Sequence, residues 1–286
     1  MKLAIAILSN LLFATTITAF AVAPEIARRS QQQERRAILE PPTKVKGRAV
    51  AASSTNAIWS GAVMTAAPAG TSFSAVSGTF VVPKPSPPTS GPGSWGGSAW
   101  VGIDGYYSNP YALLQAGVSW EVDVSSTGAT TYTYLAWYEW AALGGGQVNL
   151  PMTIHAGDTV YVTCQVKTDT SGYCTVFDKT TGQELTTDIY PPRPPPDAPP
   201  SILNGSSVEW IVEDWQQGDG SSIPFANFHQ VTFTEAQAIA SNSTTGAYNV
   251  LHPNAGNSVV EVIVQNGQVL TSTSFPGTNQ VQVTYV

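Results

Sequence analysis

From about residue 55 onward the chain keeps repeating one local pattern. Stretches rich in Val, Thr, Tyr and Trp, at 73–82, 97–104, 111–124, 130–140, 159–167, 173–179, 206–214, 228–234, 258–265 and 279–286, are set apart by clusters of Gly, Pro, Ser or Asn. β-Branched and aromatic side chains suit a pleated, half-buried surface, and the clusters between them supply turns. No segment holds a helical period over three turns. Only Thr234-Glu235-Ala236-Gln237-Ala238-Ile239-Ala240 reads as one short helix. The expected fold is all-β: an antiparallel β-sandwich of the jelly-roll or concanavalin-like kind, with a concave cleft. Two proline runs interrupt it, Pro83 to Pro92 and Pro191 to Pro200. The second lacks amide donors and is expected as an exposed loop rather than a linker, since the strand patterns on either side are incomplete alone.

The N-terminus differs from this body. Lys2 precedes an apolar run from Leu3 to Ala21, and Ala19-Phe20-Ala21 has the small-x-small form of a signal-peptidase site. Residues 1–21 are therefore expected to be a signal peptide and the mature protein to be secreted, soluble and monomeric. No later run approaches the roughly 20 apolar residues of a membrane span, so no membrane association is expected. Residues 22–54 hold seven of the twelve basic residues, from Arg28 to Arg48, and read as a basic propeptide. Residues 55–286 keep four basic residues against 19 minus 3 acidic ones, a formal charge of 4 minus 16, or −12. A basic segment before an acidic domain can pair with it at neutral pH and release as carboxylates protonate, so the propeptide is an expected inhibitor of its own domain. The bland reading of 22–54 is a solvated tail. So acidic a domain is a poor partner for nucleic acid, whose phosphates need cations.

Cys164 and Cys174 flank a turn-rich centre, Thr168-Asp169-Thr170-Ser171-Gly172, between alternating flanks. In a secreted chain this predicts a disulfide across a hairpin. Zinc is not expected, because no partner His or Cys stands nearby. His155, His229 and His252 lie in no ligand cluster. No phosphate loop, zinc-protease motif or serine elbow is present, and no cofactor is expected. Asn204 and Asn242 head Asn-x-Ser/Thr triplets, and glycosylation at either is open.

Successive strand side chains point to opposite faces. Trp100, Gly102 and Asp104 therefore share one face, as do Gln115, Gly117 and Ser119, Glu209, Ile211 and Glu213, and Trp137 with Glu139. The alternate residues, such as Val101, Leu114, Val208 and Trp140, suit an inter-sheet core. If the strands are neighbours, the carboxylate of Glu209 and the carboxamide of Gln115 share one face. Such a pair can activate water and hold an oxyanion. Periodicity alone also fits solvated strand faces or a sugar-binding jelly roll.

Six ordered motifs go further. Ile58-Trp59-Ser60-Gly61-Ala62, Trp100-Val101-Gly102-Ile103-Asp104-Gly105, Leu114-Gln115-Ala116-Gly117-Val118, Trp137-Tyr138-Glu139-Trp140, Val208-Glu209-Trp210-Ile211-Val212-Glu213-Asp214 and Val231-Thr232-Phe233-Thr234 resemble those of the fungal glutamic peptidases, the eqolisins. The resemblance covers about 55 to 286. It implies a sandwich of two seven-stranded antiparallel sheets and a secreted acid endopeptidase acting on polypeptides. It also implies Gln115 and Glu209 as the catalytic pair, with Trp100, Asp104 and Glu139 in support; Trp59, Trp100 and Trp137 either grip substrate or pack. Where the family often has Asn before the first motif Trp, Ile58 stands, and where it often has Asp two residues after the motif glycine, Ser119 stands. Cysteines that some members carry beside the cleft are absent. A glycosidase using Glu139 with Glu209, and a lectin-like binder, are the rival readings.

Overall fold

The computed structural model describes residues 43–44, 52–106, 109, 111–142, 146–193, 196–214, 223–254 and 258–286. The expected signal peptide and most of the basic segment 22–54 lie outside them. In chain order the strands are β1 (Thr43–Lys44), β2 (Ala52–Asn56), β3 (Trp59–Met64), β4 (Ser72–Val81), β5 (Gly93–Asp104), β6 (Leu113–Val124), β7 (Thr130–Ala141), β8 (Val148–Asn149) and β9 (Thr159–Thr168). They continue with β10 (Ser171–Asp178), β11 (Gln183–Ile189), β12 (Val208–Glu213), β13 (Gln230–Ser241), β14 (Tyr248–Leu251), β15 (Ser258–Gln265), β16 (Gln268–Val269), β17 (Thr271–Ser274) and β18 (Val281–Tyr285).

Two sheets stack. One runs β1-β2-β15-β3-β12-β5-β6-β7-β8 with β16 on β15, and the other runs β11-β10-β9-β4-β13-β18-β17 with β14 on β13. Setting aside β1, β8 and β16, of two residues each, and the four-residue β14, each sheet has the seven strands the resemblance implied. Among the described strand pairs only β2 on β15 is parallel. Thr43 and Lys44, late in the basic segment, pair antiparallel with Thr55 and Ser54 at that edge of the first sheet.

The alternation read from the sequence sorts the first sheet. Val101, Leu114, Ala116, Val118, Val208, Trp210 and Val212 enter the core between the sheets, against residues such as Phe80, Val162 and Phe233. Burying side chains of this size contributes roughly 1.5–3 kcal/mol each. Trp210 also crosses the sandwich with a hydrogen bond, its indole N–H donating to the Ser77 carbonyl at 2.8 Å. Phe80 and Phe233 meet edge to face with centroids 5.4 Å apart. On the second sheet Cys164 and Cys174 face each other in register and form the expected disulfide, with Cα atoms 4.1 Å apart.

The expected short helix at 234–240 is not formed. These residues continue β13, pairing with β4 and β14, and a register shift between Thr234 and Gln237 accommodates Glu235 at φ 52°. Ala236, Ala238 and Ala240 are buried while Glu235 and Gln237 are exposed, so the period is two. Ala, Glu and Gln are good helix formers, but propensity is a weak prior, and the two sheet neighbours override it. Strand β3 was not among the expected stretches. Both of its faces are buried, so its sequence shows no alternation.

Candidate active site

The side of the first sheet away from the core carries the site, and strand register arranges it in rows. Glu209 on β12 pairs with Gly102 on β5, Gly102 with Gln115 on β6, and Gln115 with Glu139 on β7. The next row holds Ile211, Trp100, Gly117 and Trp137, and the one beyond holds Glu213, Ser98, Ser119 and Leu135. Strand neighbours lie about 4.8 Å apart, so the backbones of Glu209 and Gln115 stand roughly 10 Å apart with a glycine between them. A Cβ at Gly102 would lie 3.3 Å from Glu209 Oε2, 3.0 Å from Trp100 Cζ3 and 2.8 Å from Leu113 Cδ1. Hydrogen at this position keeps the gap between carboxylate and carboxamide open.

Gln115 and Glu209 are both 0% exposed. The pair at the centre of the face read from the sequence as a cleft is therefore buried. A second apolar cluster surrounds the pair, including Trp59, Val63, Trp100, Leu113, Trp137 and Ile211. Neither carboxylate oxygen of Glu209 has a hydrogen-bond partner. Burial pushes its pKa well above the usual carboxylate range. The side chain of Ser207 offsets part of this without reaching an ordinary hydrogen bond, and the charge of Asp104 adds to the rise.

Asp104 belongs to the approach to β12. It sits at φ 67° and is fully buried. Its Oδ2 accepts from the backbone N–H groups of Asn204 at 2.8 Å and Gly205 at 3.0 Å, and its Oδ1 from the N–H of Ser206 at 2.7 Å and the Ser206 hydroxyl at 2.8 Å. The Asp104 N–H donates to the Ser207 carbonyl at 3.0 Å. One carboxylate thus fixes the turn that launches the strand bearing Glu209.

Trp59 and Trp100 are buried and pack edge to face at 5.0 Å. Both point their indole N–H at Glu213: Trp59 Nε1 donates to Oε1 at 3.1 Å and Trp100 Nε1 to Oε2 at 2.8 Å. Burial pushes the Glu213 pKa up to about 8, against the pull of the two indoles and with the help of Glu139 and Asp214. Glu213 was placed on this face by alternation but not singled out. The register of Trp59 opposite Glu213 is the missing signal, and it depends on β3 lying beside β12. Trp137 and Glu139 are buried on the same face, and the Trp137 indole N–H has no partner.

At the side toward β2, Glu261 is buried and accepts from Tyr106 Oη at 2.5 Å and from the Ser54 hydroxyl. Burial raises its pKa and these two donors oppose the rise. Asp214, the residue after β12, is pushed up to about 7 by burial although Gln265 Nε2 donates to it at 2.5 Å. Glu209, Glu213 and Glu261 are thus buried carboxyls whose pKa values burial raises.

The chain matches known proteins over this same region. The model of the Peptidase A4 family matches residues 57–285. Aspergillopepsin-2 of Aspergillus niger is 36% identical over 244 residues, covering 80% of this chain and 77% of that protein. Scytalidopepsin B of Scytalidium lignicola is 30% identical over 234 residues, with the same two coverages of 80% and 77%. The crystal structure of scytalido-glutamic peptidase with a peptide-based transition state analog superimposes with a TM-score of 0.62 at 28% identity, covering 80% of this chain and 98% of that one. Sequence and fold agree, and the chain belongs to the Peptidase A4 family of glutamic peptidases.

Proposed function

We propose that this chain is a secreted acid endopeptidase, insensitive to pepstatin, in which Glu209 and Gln115 hydrolyse the peptide bond between them. One observation carries the reading: a carboxylate and a carboxamide share a row of the sheet, separated only by a residue without a side chain. Ionised Glu209 takes a proton from water, and the water oxygen bonds to the scissile carbonyl carbon. The Gln115 N–H donates to the oxyanion that forms. As the intermediate collapses, the C–N bond breaks and Glu209 returns its proton to the leaving amine. A positioned base gives typically about 10²–10⁴-fold and one oxyanion donor about 10²–10³-fold. An amide suits the donor role; a second carboxylate there would accept only, and would repel both Glu209 and the oxyanion.

In this reading the full chain is inactive, because burial holds the Glu209 pKa well above the usual carboxylate range. Opening the face hydrates the carboxyl and removes the main cause of its shift. In this reading residues 1–21 direct secretion and 22–54 act as an inhibitory propeptide for the domain at 55–286. The four-plus charge of 22–54 (seven basic minus three acidic) against −12 supports the pairing, as does the seat of Thr43–Lys44 on the sheet edge. A glycosidase pairing of Glu139 with Glu209 has less support, since Gln115 and Gly102 stand between them in the row. Three strand steps put those backbones about 14 Å apart.

The test is digestion of a denatured protein at about pH 3–4 by acid-treated, purified protein with pepstatin present. Cleavage that disappears in both Glu209→Gln and Gln115→Glu, with the fold retained, is the expected result. Substantial turnover in either variant would refute the pair.

A further inference from the structure

Two rows from the proposed catalytic pair, the site face carries hydroxyls that the protein itself does not use. Ser98 on β5 and Ser119 on β6 stand directly opposite each other, both 1% exposed. Neither Oγ has a hydrogen-bond partner, and the Trp137 indole N–H, one row nearer the pair, has none either. Unsatisfied buried hydroxyls are costly, typically about 1–3 kcal/mol each. Two facing one another on a substrate-side surface are therefore poised for a group that comes from outside the chain.

We infer that Ser98 and Ser119 form a subsite for an uncharged hydrogen-bonding side chain of the substrate, that of Asn, Gln, Ser or Thr. The inference rests on the peptidase reading above and names a specificity within it. Ser98 lies four residues from Gly102 and Ser119 four from Gln115, which at about 3.3 Å per residue is roughly 13 Å along the sheet. An extended peptide spans that distance in about four residues. The subsite thus serves a side chain three to four residues from the scissile bond.

The charges around the subsite decide its chemistry. Each serine hydroxyl both donates and accepts, so it matches an amide or hydroxyl. Glu213 stands opposite Ser98, but the indoles of Trp59 and Trp100 occupy both its oxygens. Glu139 lies back in the row of the pair, and Glu121 lies one row beyond Ser119 on β6. No Lys or Arg lies on β5, β6, β7 or β12, so an anionic side chain would meet no counter-ion. A cation brought beside Ser119 would lack the carboxylate that the related family pattern often supplies at this position, and an unpaired buried charge is strongly disfavoured.

The test uses the acid-treated protein and a peptide series in which the third and fourth residues on either side of the scissile bond are each varied among Asn, Gln, Ala, Leu, Lys and Glu. Wild-type protein is expected to favour Asn or Gln at one of these positions. Ser119→Ala and Ser98→Ala should each reduce that preference about fivefold, and Ser119→Asp should shift it to Lys. Both alanine variants should melt no lower than wild type, because each removes a hydroxyl with no partner. An unchanged preference in the variants would overturn the subsite, as would a wild-type preference for Lys, which would point to Glu121, or a marked fall in melting temperature. If wild-type protein cleaves none of the peptides, it is the peptidase reading that fails.

Discussion

Asp104 holds Ser206 twice, accepting its backbone N–H at 2.7 Å and its hydroxyl at 2.8 Å on the same oxygen. The other oxygen holds Asn204 and Gly205. A residue at the end of β5 thereby sets the start of β12 and, three positions later, Glu209. Asp104→Asn tolerates φ 67°, since Asn enters the left-handed region readily, but it turns one acceptor into a donor facing donors. We expect a loss of about 1.5–3 kcal/mol in urea unfolding. Asp104→Ala should cost more, because four donors are orphaned and the backbone is strained. A stability equal to wild type in Asp104→Asn would show that the turn stands without the carboxylate.

Gly102→Ala adds one methyl group where there is no space for it. Its Cβ would meet Leu113 Cδ1 at 2.8 Å and Trp100 Cζ3 at 3.0 Å, both from fully buried side chains. Overpacking of this kind costs about 1–3 kcal/mol. The same methyl group would intrude at 3.3 Å from Glu209 Oε2, so kcat should fall at least about a hundredfold in protein whose circular dichroism is unchanged. Near-normal kcat would mean that the gap over Gly102 is not where the substrate carbonyl sits.

Stability should fall as pH rises. Glu213 is raised to about 8, Asp214 to about 7, and Glu209 and Glu261 lie above their ordinary values. Unfolded carboxyls lose their protons near pH 4, so between about pH 4 and the folded values the native state binds more protons than the unfolded one. Each such group contributes stability fully present below about pH 4. That stability is lost at about 1.4 kcal/mol per pH unit as pH climbs through the folded value. Melting temperature should therefore drop steadily from pH 4 to pH 8. Glu213→Gln should make the drop shallower while lowering stability in acid, since one indole then faces an amide N–H. A melting temperature that is flat over this range would contradict the buried carboxyl cluster.

The disulfide lies on the second sheet, away from the proposed pair. Cys164 and Cys174 are ten residues apart, so the constraint they place on the unfolded chain is modest. Replacing both with Ala should cost about 2–3 kcal/mol and leave kcat unchanged in acid at moderate temperature. A change in kcat would reveal a coupling between the two sheets that the core packing does not suggest.

What the sequence disclosed followed its two-residue period. Glu209, Gln115, Trp100 and Glu139 could be assigned to one face because the residues flanking each on its strand, such as Val101, Leu114, Ala116, Tyr138, Trp140, Val208 and Trp210, are apolar, and all four are on that face. β3 escaped notice because burial on both sides erases alternation, and β13 was cut short because Ala-Glu-Gln composition imitates a helix where the pairing partners are distant in sequence. The grip of Trp59 and Trp100 on Glu213 escaped for a related reason: its members are separated by 154 and 113 residues. Which strands become neighbours decides such contacts, and local pattern carries no record of it. The burial of Gln115 and Glu209 was equally hidden, since alternation gives orientation and says nothing of exposure.

In β5, β6 and β12 the residues of the site and the residues of the core are interleaved one for one, Gly102 between Val101 and Ile103, Gln115 between Leu114 and Ala116, Glu209 between Val208 and Trp210. A single inserted or deleted residue within any of these strands would drive a carboxyl or carboxamide into the interior and turn a core side chain outward. Such strands cannot drift in length. Divergence by gain or loss of residues is confined to the connections, among them the proline-rich passage between β11 and β12, while the strands themselves are open to change only by substitution.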